Sequence, residues 1–536
     1  MAFCFLDCAL VFLALLVALF AYGKWRNLHF KRKGIPYAEP PVPFIGLAFK
    51  SILQIEHVTD IMQKVYDRFP DEKYFGSFEG PRPLIVLKDL ELIKQLFVKD
   101  FDVFNAHRTI IDGATDPIYG NFMIILKGEK WHDMRSSLSP AFTSSKMKNM
   151  FEFVEECSRQ MANNYIQKFS AEKTDLINIE AKEALSYFTN DVIATSVFGL
   201  KINSMENPDC EFYKMGKKTS DFSGLQLFKM FAHVLMPKLM KFLGIPIIRK
   251  ELKEYYSNLV LGTMEEREKN GIIRHDMIHL LMEAKKGALK HEASSKEVAG
   301  YATVQESNTD RKKAPRQWTD LELVSQAMIF YLAGFDTTST MLTFLMYELA
   351  RNPDIQTRMQ EEIDNFKRES GDLTYNDLPK LKYLDMVVSE SMRLWPSLAL
   401  TDRVATRNYS LPHPSDPNGN SYEIKANECV WVPVFSIHRD PKNFPDPLKF
   451  DPERFSDENK HSILPGSYLP FGLGPRNCIG SRFALMIIKA AVFHLVGTFD
   501  IVVTSKTQIP VKLAKNTFLM NTQKGMWVGL KMRTPK

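Results

Sequence analysis

Residues 470–480 read PFGLGPRNCIG and set Cys478 among three glycines, a proline and an arginine. Glycine adopts backbone conformations that other residues avoid, so glycines at 472, 474 and 480 predict a tight turn that allows close approach to another group. A plain buried cysteine is common in proteins, but it does not need such a turn. The stretch therefore indicates that the thiol of Cys478 faces a ligand.

Three uses of this stretch fit the residues poorly. GLGPRN begins like the dinucleotide-binding loop GxGxxG, but Asn477 occupies the place of the third glycine and a proline interrupts the turn. A protease nucleophile would need a characteristic surrounding sequence, and a zinc site would need more His or Cys ligands nearby. What remains is haem iron, which takes one cysteine thiolate from the chain. Backbone amides would then hydrogen-bond the sulfur of Cys478, and Arg476 would pair with a haem propionate.

A long helix is predicted upstream of this turn. Thr319 and Glu322 have the spacing of a capping box, and an apolar pattern of about thirty residues follows. Its middle, AGFDTTST (333–340), contains Gly334, which costs roughly 1 kcal/mol against Ala in a helix interior. One interpretation is a kinked or solvent-facing stretch. The other is a local widening in which Asp336 and Thr337 manage water and protons beside a bound group.

Two further motifs predict a structural ion-pair network. Glu390 and Arg393 lie three residues apart in YLDMVVSESMRLWP, where they can pair on one helix face. Glu156 and Arg159 share that spacing, so the spacing alone is weak. Arg454 follows in the proline-rich FPDPLKFDPERF, and its guanidinium would complete a buried carboxylate pair. We expect loss of one partner to unfold the domain.

The N-terminal segment predicts a membrane anchor. Residues 1–23 are apolar apart from Asp7 and have about the length of a hydrocarbon core. A cleaved signal peptide is the alternative, but a basic n-region and a clear cleavage site are missing. A positive cluster follows and should remain cytosolic: Lys24, Arg26, Lys31, Arg32 and Lys33. Residues 24–50 are thus predicted to form a basic and proline-rich hinge before a domain spanning 51–536.

Composition is that of a folded globular protein. Of 536 residues, 45% are hydrophobic and 25% charged, and the net charge of +6 is too small to indicate nucleic acid. Six scattered cysteines without a CxxC pair favour reduced thiols and a cytosol-facing domain. Helical periodicity dominates, with strand-like runs at 83–87 and 427–434, so we predict a mainly α fold with a small β region. Residues 285–316 are polar and predict a flexible, solvated loop.

The segment 222–248 crowds large apolar residues on both sides of Pro237. Two buried helices would explain this pattern. A surface that dips into the membrane interface would explain it equally well, given the predicted anchor. Both interpretations remain open.

The cysteine motif resembles the haem-binding signature FxxGxRxCxG of the cytochrome P450 family, with Phe471, Gly474, Arg476, Cys478 and Gly480 at its fixed positions. WHDMR (131–135), AGFDTT, ExxR and PERF follow the order and spacing of the family. With the anchor included, the resemblance covers essentially the whole chain. Within the family, the chain looks most like insect microsomal enzymes that oxidise foreign compounds.

The resemblance implies the cytochrome P450 fold, a haem b cofactor, iron ligated by Cys478 and an oxygen-groove helix carrying the catalytic Asp336 and Thr337. It assigns the haem to the cofactor-binding residues Cys478, Arg476, Trp131, Arg135 and Phe471. Arg403 is left open, because the spacing after Pro396 varies. The substrate pocket would draw on residues 105–123, 222–248, 330–337, 397–400 and 516–520.

The activity implied is a monooxygenase that inserts one oxygen atom into lipophilic molecules, either xenobiotics such as plant toxins and insecticides or endogenous lipids. The chain has no nicotinamide or flavin loop, so the resemblance implies electrons from NADPH through NADPH–cytochrome P450 reductase, with cytochrome b5 as a second partner, at the endoplasmic reticulum membrane. Four lysines would present a basic patch to an acidic partner: Lys127, Lys130, Lys146 and Lys148. A solvated lysine face is the alternative.

Two other functions stay open. A haem-thiolate isomerase or dehydratase would work without a reductase, but the intact pair of Asp336 and Thr337 counts against it. A non-catalytic haem-binding or ligand-binding protein is the second alternative.

Overall fold

The computed structural model describes residues 2–40, 42–47, 49–109, 111, 113–221, 223–287, 300–304, 318–517 and 519–533, with the backbone alone for residues 2–9. Helices form most of this part of the chain. They are α1 (Ala2–Asn27), α2 (His29–Arg32), α3 (Phe49–Ile52), α4 (Val58–Tyr66), α5 (Leu90–Lys94), α6 (Pro117–Gly120), α7 (Gly128–Leu138), α8 (Ser144–Glu172), α9 (Ala181–Ser196), α10 (Glu211–Thr219), α11 (Gly224–Leu235), α12 (Pro237–Phe242), α13 (Lys250–Asn270), α14 (Met277–Lys285), α15 (Asp320–Arg351), α16 (Pro353–Ser370), α17 (Lys382–Leu394), α18 (Val434–Ile437) and α19 (Ser481–Val496).

Strands are short and form three small sheets. They are β1 (Tyr74–Glu79), β2 (Arg82–Leu87), β3 (Ile177–Glu180), β4 (Thr401–Val404), β5 (Tyr409–Leu411), β6 (Tyr422–Ile424), β7 (Cys429–Val432), β8 (Phe499–Val502) and β9 (Trp527–Met532). The sheet orders are β1-β2-β7-β4, β3-β9-β8 and β5-β6. The two predicted strand-like runs become β2 and β7, which pair in parallel with Ile85 opposite Val430. The predicted mainly α fold with a small β region is confirmed.

Helix α15 crosses the core and begins where the sequence predicts. The Thr319 hydroxyl accepts the Glu322 N–H at 3.2 Å, and the Glu322 carboxylate accepts the Thr319 N–H at 3.0 Å. The helix stays α-helical through 333–340. Gly334 instead allows close packing of α9, because a Cβ there would lie 3.0 Å from Ile193 Cδ1.

Segment 222–248 is partly buried and partly exposed. It forms α11 and α12, which meet at Pro237, and Leu227 is buried while Phe242 is 86% exposed. Each helix therefore packs one side on the domain and leaves large apolar side chains outside. The most exposed of these are Leu225, Phe228, Met236, Leu239, Phe242 and Leu243.

Residues 300–304 lie within the predicted flexible loop 285–316, yet they pack on the domain. The Tyr301 N–H donates to Asp385 Oδ2 at 2.9 Å, and the Tyr301 ring lies 5.0 Å from the Phe455 ring. Helix α14 extends to Lys285. The rest of the predicted loop, 288–299 and 305–316, lies outside the described residues.

The segment predicted as a hinge also differs from the expectation. Helix α1 continues to Asn27, α2 follows it at once, and Phe30 is 0% exposed. Prolines at 36 and 40 do introduce extended chain, which runs beside β1 with the Ala38 N–H bonded to Gly76 O at 2.9 Å. The domain thus begins before residue 51.

Candidate active site

The turn that carries Cys478 lies immediately before α19. The Cys478 N–H donates to Phe471 O at 2.9 Å, and the Asn477 N–H donates to Gly474 O at 2.9 Å. Gly472 and Gly474 have φ of +77° and +75°, a left-handed conformation that favours glycine. These hydrogen bonds and glycine conformations define the shape of the turn on which the Cys478 side chain lies.

The side chain of Cys478 is accessible, although it lies within the domain's protein surroundings. Cys478 is exposed, yet desolvation by the surrounding protein raises the pKa of its thiol, opposed by the Gly480 N–H and by Arg135. The side chain of Cys478 is therefore accessible while protein groups surround it. Ala333, in the middle of the otherwise buried α15, is exposed as well, and so is Ile124 at 46%.

Phe142 contacts both α15 and the cysteine turn. The Phe142 ring lies 5.7 Å from the Phe330 ring of α15, and a Cβ at Gly480 would lie 3.8 Å from Phe142. The Ser397 hydroxyl donates to Thr337 O at 3.0 Å. Residue 397 leads into β4, whose side chains reach the cysteine turn.

Arg476 is buried in a cage of carbonyl oxygens. Its guanidinium donates to Asn105 O at 2.9 Å, Ile124 O at 3.3 Å and Leu126 O at 2.6 Å. It also lies over the Trp131 ring, 4.1 Å from the ring centroid. Arg476 and Trp131, both predicted to bind the haem, are thus in direct contact.

Arg135 and Arg403 approach the same turn from different elements. Arg135 of α7 donates to Asn477 O at 2.9 Å and to Asn477 Oδ1 at 2.8 Å. Arg403 of β4 donates to Leu473 O at 3.1 Å and lies 4.3 Å over the Phe97 ring. Arg403, which the sequence left open, therefore joins the predicted arginines, and Asn477 is a partner that the sequence did not indicate.

This part of the site carries excess positive charge. Burial, Arg403 and Arg135 lower the pKa of Arg476 to about 8, and burial lowers the pKa of Arg403 to about 10. The neighbouring carboxylate of Asp402 already accepts the His107 ring at 2.9 Å and a backbone N–H. Buried cations without matching anions are costly. An anionic group at this edge would remove that cost.

Asp336 and Thr337 are neighbours in α15, but their side chains have different partners. Lys182 of α9 donates to Asp336 Oδ1 at 2.5 Å, to Ser339 Oγ at 2.7 Å and to Thr340 Oγ1 at 2.8 Å. The Thr337 hydroxyl donates to Ala333 O at 2.5 Å, next to the exposed Ala333. The sequence did not indicate Lys182, because its contact with Asp336 spans 154 residues.

The predicted charged triad lies behind the cysteine turn. Arg393 binds Glu390 through two nitrogens at 2.7 and 2.9 Å, both side chains are 0% exposed, and Arg454 Nε lies 3.5 Å from Glu390 Oε1. His438 links this group to the turn. Its Nδ1 donates to Arg393 O at 3.0 Å and its Nε2 accepts the Leu469 N–H at 2.8 Å. Nothing in the sequence distinguished His438 from other histidines in apolar surroundings.

The residues present fit a haem group. The accessible thiol of Cys478 would ligate the iron, and the buried arginines would offer positive charge to the propionates. The Arg403 Nε is buried without a hydrogen-bond partner, which leaves it available to such an anion. Among the described residues, no group of three His, Cys, Asp or Glu could hold a metal ion by itself. This is the arrangement of a haem-thiolate protein.

Comparison with known proteins agrees with this class. The family model described as Cytochrome P450 matches residues 36–528, and the chain therefore belongs to the cytochrome P450 family. Cytochrome P450 9e2 of Blattella germanica is 44% identical over 533 residues, covering 97% of each chain. Cytochrome P450 9c1 of Drosophila melanogaster is 35% identical over 545 residues, covering 100% of each. The chain is thus an enzyme of the P450 monooxygenase class, with insect relatives.

Proposed function

We propose that this enzyme inserts one oxygen atom from O2 into lipophilic small molecules, with Cys478 as the ligand of its haem iron. The observation that carries the proposal is the accessible thiol of Cys478 on a glycine-rich turn that Arg135 and Arg403 bind. When bound, haem supplies the oxygen activation, and cytochromes P450 are the standing example of such thiolate ligation.

The chain's own residues hold and orient the cofactor. Arg476, Arg403 and Arg135 would bind the propionates, and Trp131 supports Arg476 by stacking. The Gly480 N–H stabilises the negative charge of the Cys478 sulfur, since a hydrogen bond to the charged form favours that form. Desolvation by the protein still favours the neutral thiol of Cys478 over the thiolate.

Proton handling falls to α15. The Thr337 hydroxyl lies on the side of the helix that carries the exposed Ala333, so it can hydrogen-bond a group bound against this side of the helix. Asp336 holds its carboxylate next to Lys182, one residue before Thr337 in the same helix. This division supports oxygen insertion over rearrangement chemistry, which needs no proton delivery from such a pair.

Membrane placement is the second part of the proposal. Helix α1 contains an 18-residue span, Leu10–Asn27, long and apolar enough to cross a bilayer. We assign the enzyme to the endoplasmic reticulum membrane with its domain in the cytosol, because the basic residues follow the span. Gly23 of the anchor helix lies against Phe44, and Gly80 lies against both Phe44 and Leu235 of α11. The apolar α11 is therefore beside the anchor. Exposed apolar side chains of α11 and α12 would then meet lipid, which is where lipophilic substrates concentrate.

Electrons are proposed to come from NADPH through NADPH–cytochrome P450 reductase, with cytochrome b5 as an additional donor. Some of the lysines near α7 are available to bind an acidic partner. Lys127 and Lys130 are exposed, whereas Lys146 pairs with Glu283 at 3.6 Å. The substrates proposed are xenobiotics or endogenous lipids, since the predicted pocket segments are apolar.

Turnover with labelled oxygen tests the proposal. Full-length enzyme, reductase and NADPH are incubated under 18O2 with a panel of lipophilic compounds, and we expect products that carry one labelled atom. Products without label and without NADPH consumption would indicate an isomerase. Spectral binding without any product would indicate a non-catalytic haem protein.

Thr337→Ala should reduce coupling, so that NADPH consumption yields peroxide or water in place of product. Thr343→Ala is the matched control, because the Thr343 hydroxyl makes the same bond to a carbonyl four residues earlier, at 2.6 Å to Ser339 O. Equal coupling in the two variants would rule out the role given to Thr337.

A further inference from the structure

One face of the anchor helix is buried against the catalytic domain. Gly23, Asn27 and Phe30 are buried, whereas Ala21, Tyr22, Lys24 and Trp25 are exposed. Gly23 and Asn27 lie four residues apart on one face of α1, and Phe30 follows in α2. The chain that leaves the predicted span is therefore packed like a core helix, although its sequence reads as a basic, proline-rich hinge.

The first contact point is Gly23. A Cβ at this position would lie 2.5 Å from Phe44 Cε2 and 2.5 Å from Pro43 Cβ, so only glycine allows this approach. One turn further, the Arg26 guanidinium donates to Pro81 O at 2.9 Å, in the turn between β1 and β2. Two elements of the catalytic domain thus hold the helix where it leaves the span.

The second contact point is Phe30, which fills an aromatic socket. Its ring lies 5.3 Å from the Phe78 ring and 5.5 Å from the Tyr422 ring, and its side chain is 0% exposed. The floor of the socket is Gly76 of β1, where a Cβ would lie 2.5 Å from the Phe30 ring. Burying a Phe side chain stabilises by about 1.5–3 kcal/mol, so this contact is a substantial tie between the segment and the sheet.

We propose that Gly23 and Phe30 clamp the anchor to the catalytic domain, so that the two form one rigid body and the anchor sets the tilt of the domain on the bilayer. The clamp itself stands on these contacts alone, and its role in orientation rests on the proposed membrane placement. Gly80 connects these contacts to α11, because a Cβ at Gly80 would lie 3.2 Å from Leu235 Cδ2. The clamp therefore also fixes which apolar helices face the lipid.

Trypsin cleavage of the full-length holoenzyme in detergent tests the clamp. The potential cleavage sites are Lys24, Arg26, Lys31, Arg32 and Lys33. A helix packed on the domain resists cleavage until it opens. Overpacking at Gly23→Leu should raise cleavage within 24–33 by about tenfold or more. Ala21→Leu is the matched control, because Ala21 is exposed on the same helix.

Phe30→Ala should also raise cleavage, whereas Phe20→Ala, at a position 55% exposed, should not. Wild-type cleavage as fast as that of Gly23→Leu, or equal rates for Gly23→Leu and Ala21→Leu, would overturn the clamp. An unchanged carbon monoxide difference spectrum in Gly23→Leu shows that the domain stays folded with its haem.

Orientation is measured by linear dichroism of the haem in oriented phosphatidylcholine bilayers. We expect a defined tilt for the wild type and for Ala21→Leu, and a signal close to the isotropic value for Gly23→Leu. Equal dichroism in all three would overturn the role in orientation. Failure of the wild type to remain with the bilayers would contradict the proposed membrane placement, while the cleavage result in detergent would still decide the clamp.

Discussion

Two glycines of the cysteine turn have the same backbone conformation but different surroundings, which makes them a sensitive test of the site's geometry. Gly472 and Gly474 have φ of +77° and +75°. A Cβ at Gly472 would meet its nearest neighbour, Asn477 Cα, at 3.9 Å. A Cβ at Gly474 would overlap the Phe97 carbonyl oxygen and lie 3.0 Å from its carbonyl carbon. Substitution by Ala therefore strains both positions but crowds only one.

The expected cost follows from these distances. Gly472→Ala should lower the free energy of unfolding by about 1–2 kcal/mol, the cost of a left-handed conformation for an L-residue. Gly474→Ala adds overlap with backbone atoms of a π-helical turn, Gln95–Lys99, that cannot rotate away. Overpacking typically costs about 1–3 kcal/mol more. Displacing residue 474 would also move Leu473 O, which Arg403 binds, so we expect Gly474→Ala to lose haem more readily.

Urea unfolding of the two holoenzyme variants, followed by haem absorbance and far-ultraviolet circular dichroism, measures this difference. The unfolding midpoint should fall further for Gly474→Ala than for Gly472→Ala, and haem content per chain should follow the same order. Equal midpoints, or a lower midpoint for Gly472→Ala, would show that the turn does not pack against Phe97 as described.

Two further predictions concern buried polar contacts. Lys182→Met should lower the free energy of unfolding by about 1–3 kcal/mol, because it leaves Asp336 and two hydroxyls without their hydrogen-bond donor. Asp336→Asn should cost less stability in the Lys182→Met background than in the wild type. Strictly additive unfolding free energies would contradict the pairing. Burial and Arg393 lower the pKa of His438 to about 3 in the folded protein, whereas the pKa of an unfolded histidine is about 6.5. Below about pH 6.5, unfolding therefore takes up a proton. The free energy of unfolding should fall by about 2 kcal/mol between pH 7 and pH 5. Urea midpoints at both pH values measure this loss, which should be smaller in His438→Gln; an equal loss would exclude His438 as its source.

Local sequence signals predicted the parts of the site that depend on neighbours in the chain. The capping box of Thr319 and Glu322 marked the start of α15, and PFGLGPRNCIG marked the turn of Cys478 because its glycines and its thiol are adjacent. The pairing of Glu390 with Arg393 needs only one helical turn. Each of these features is decided within a short stretch of chain, eleven residues at most, so periodicity and spacing are enough to find it.

Features decided by tertiary contacts were missed. Lys182 and His438 act through partners 154 and 31 or 45 residues away, which no spacing rule connects. The hinge prediction followed the basic residues and prolines near residue 30, but the burial of Phe30 depends on a socket built from β1 and β6. Arg403 remained open for the same reason, because its place beside Leu473 follows from the pairing of β4 with β7.

The carbon monoxide difference spectrum of the reduced full-length enzyme tests the central claim most directly. Cys478→Ala should lose the spectral signature of thiolate ligation, whereas Cys157→Ala, which removes a buried thiol of α8, should keep it. A Cys478→Ala variant that retains haem with an unchanged thiolate spectrum would contradict the assignment of Cys478 as the iron ligand.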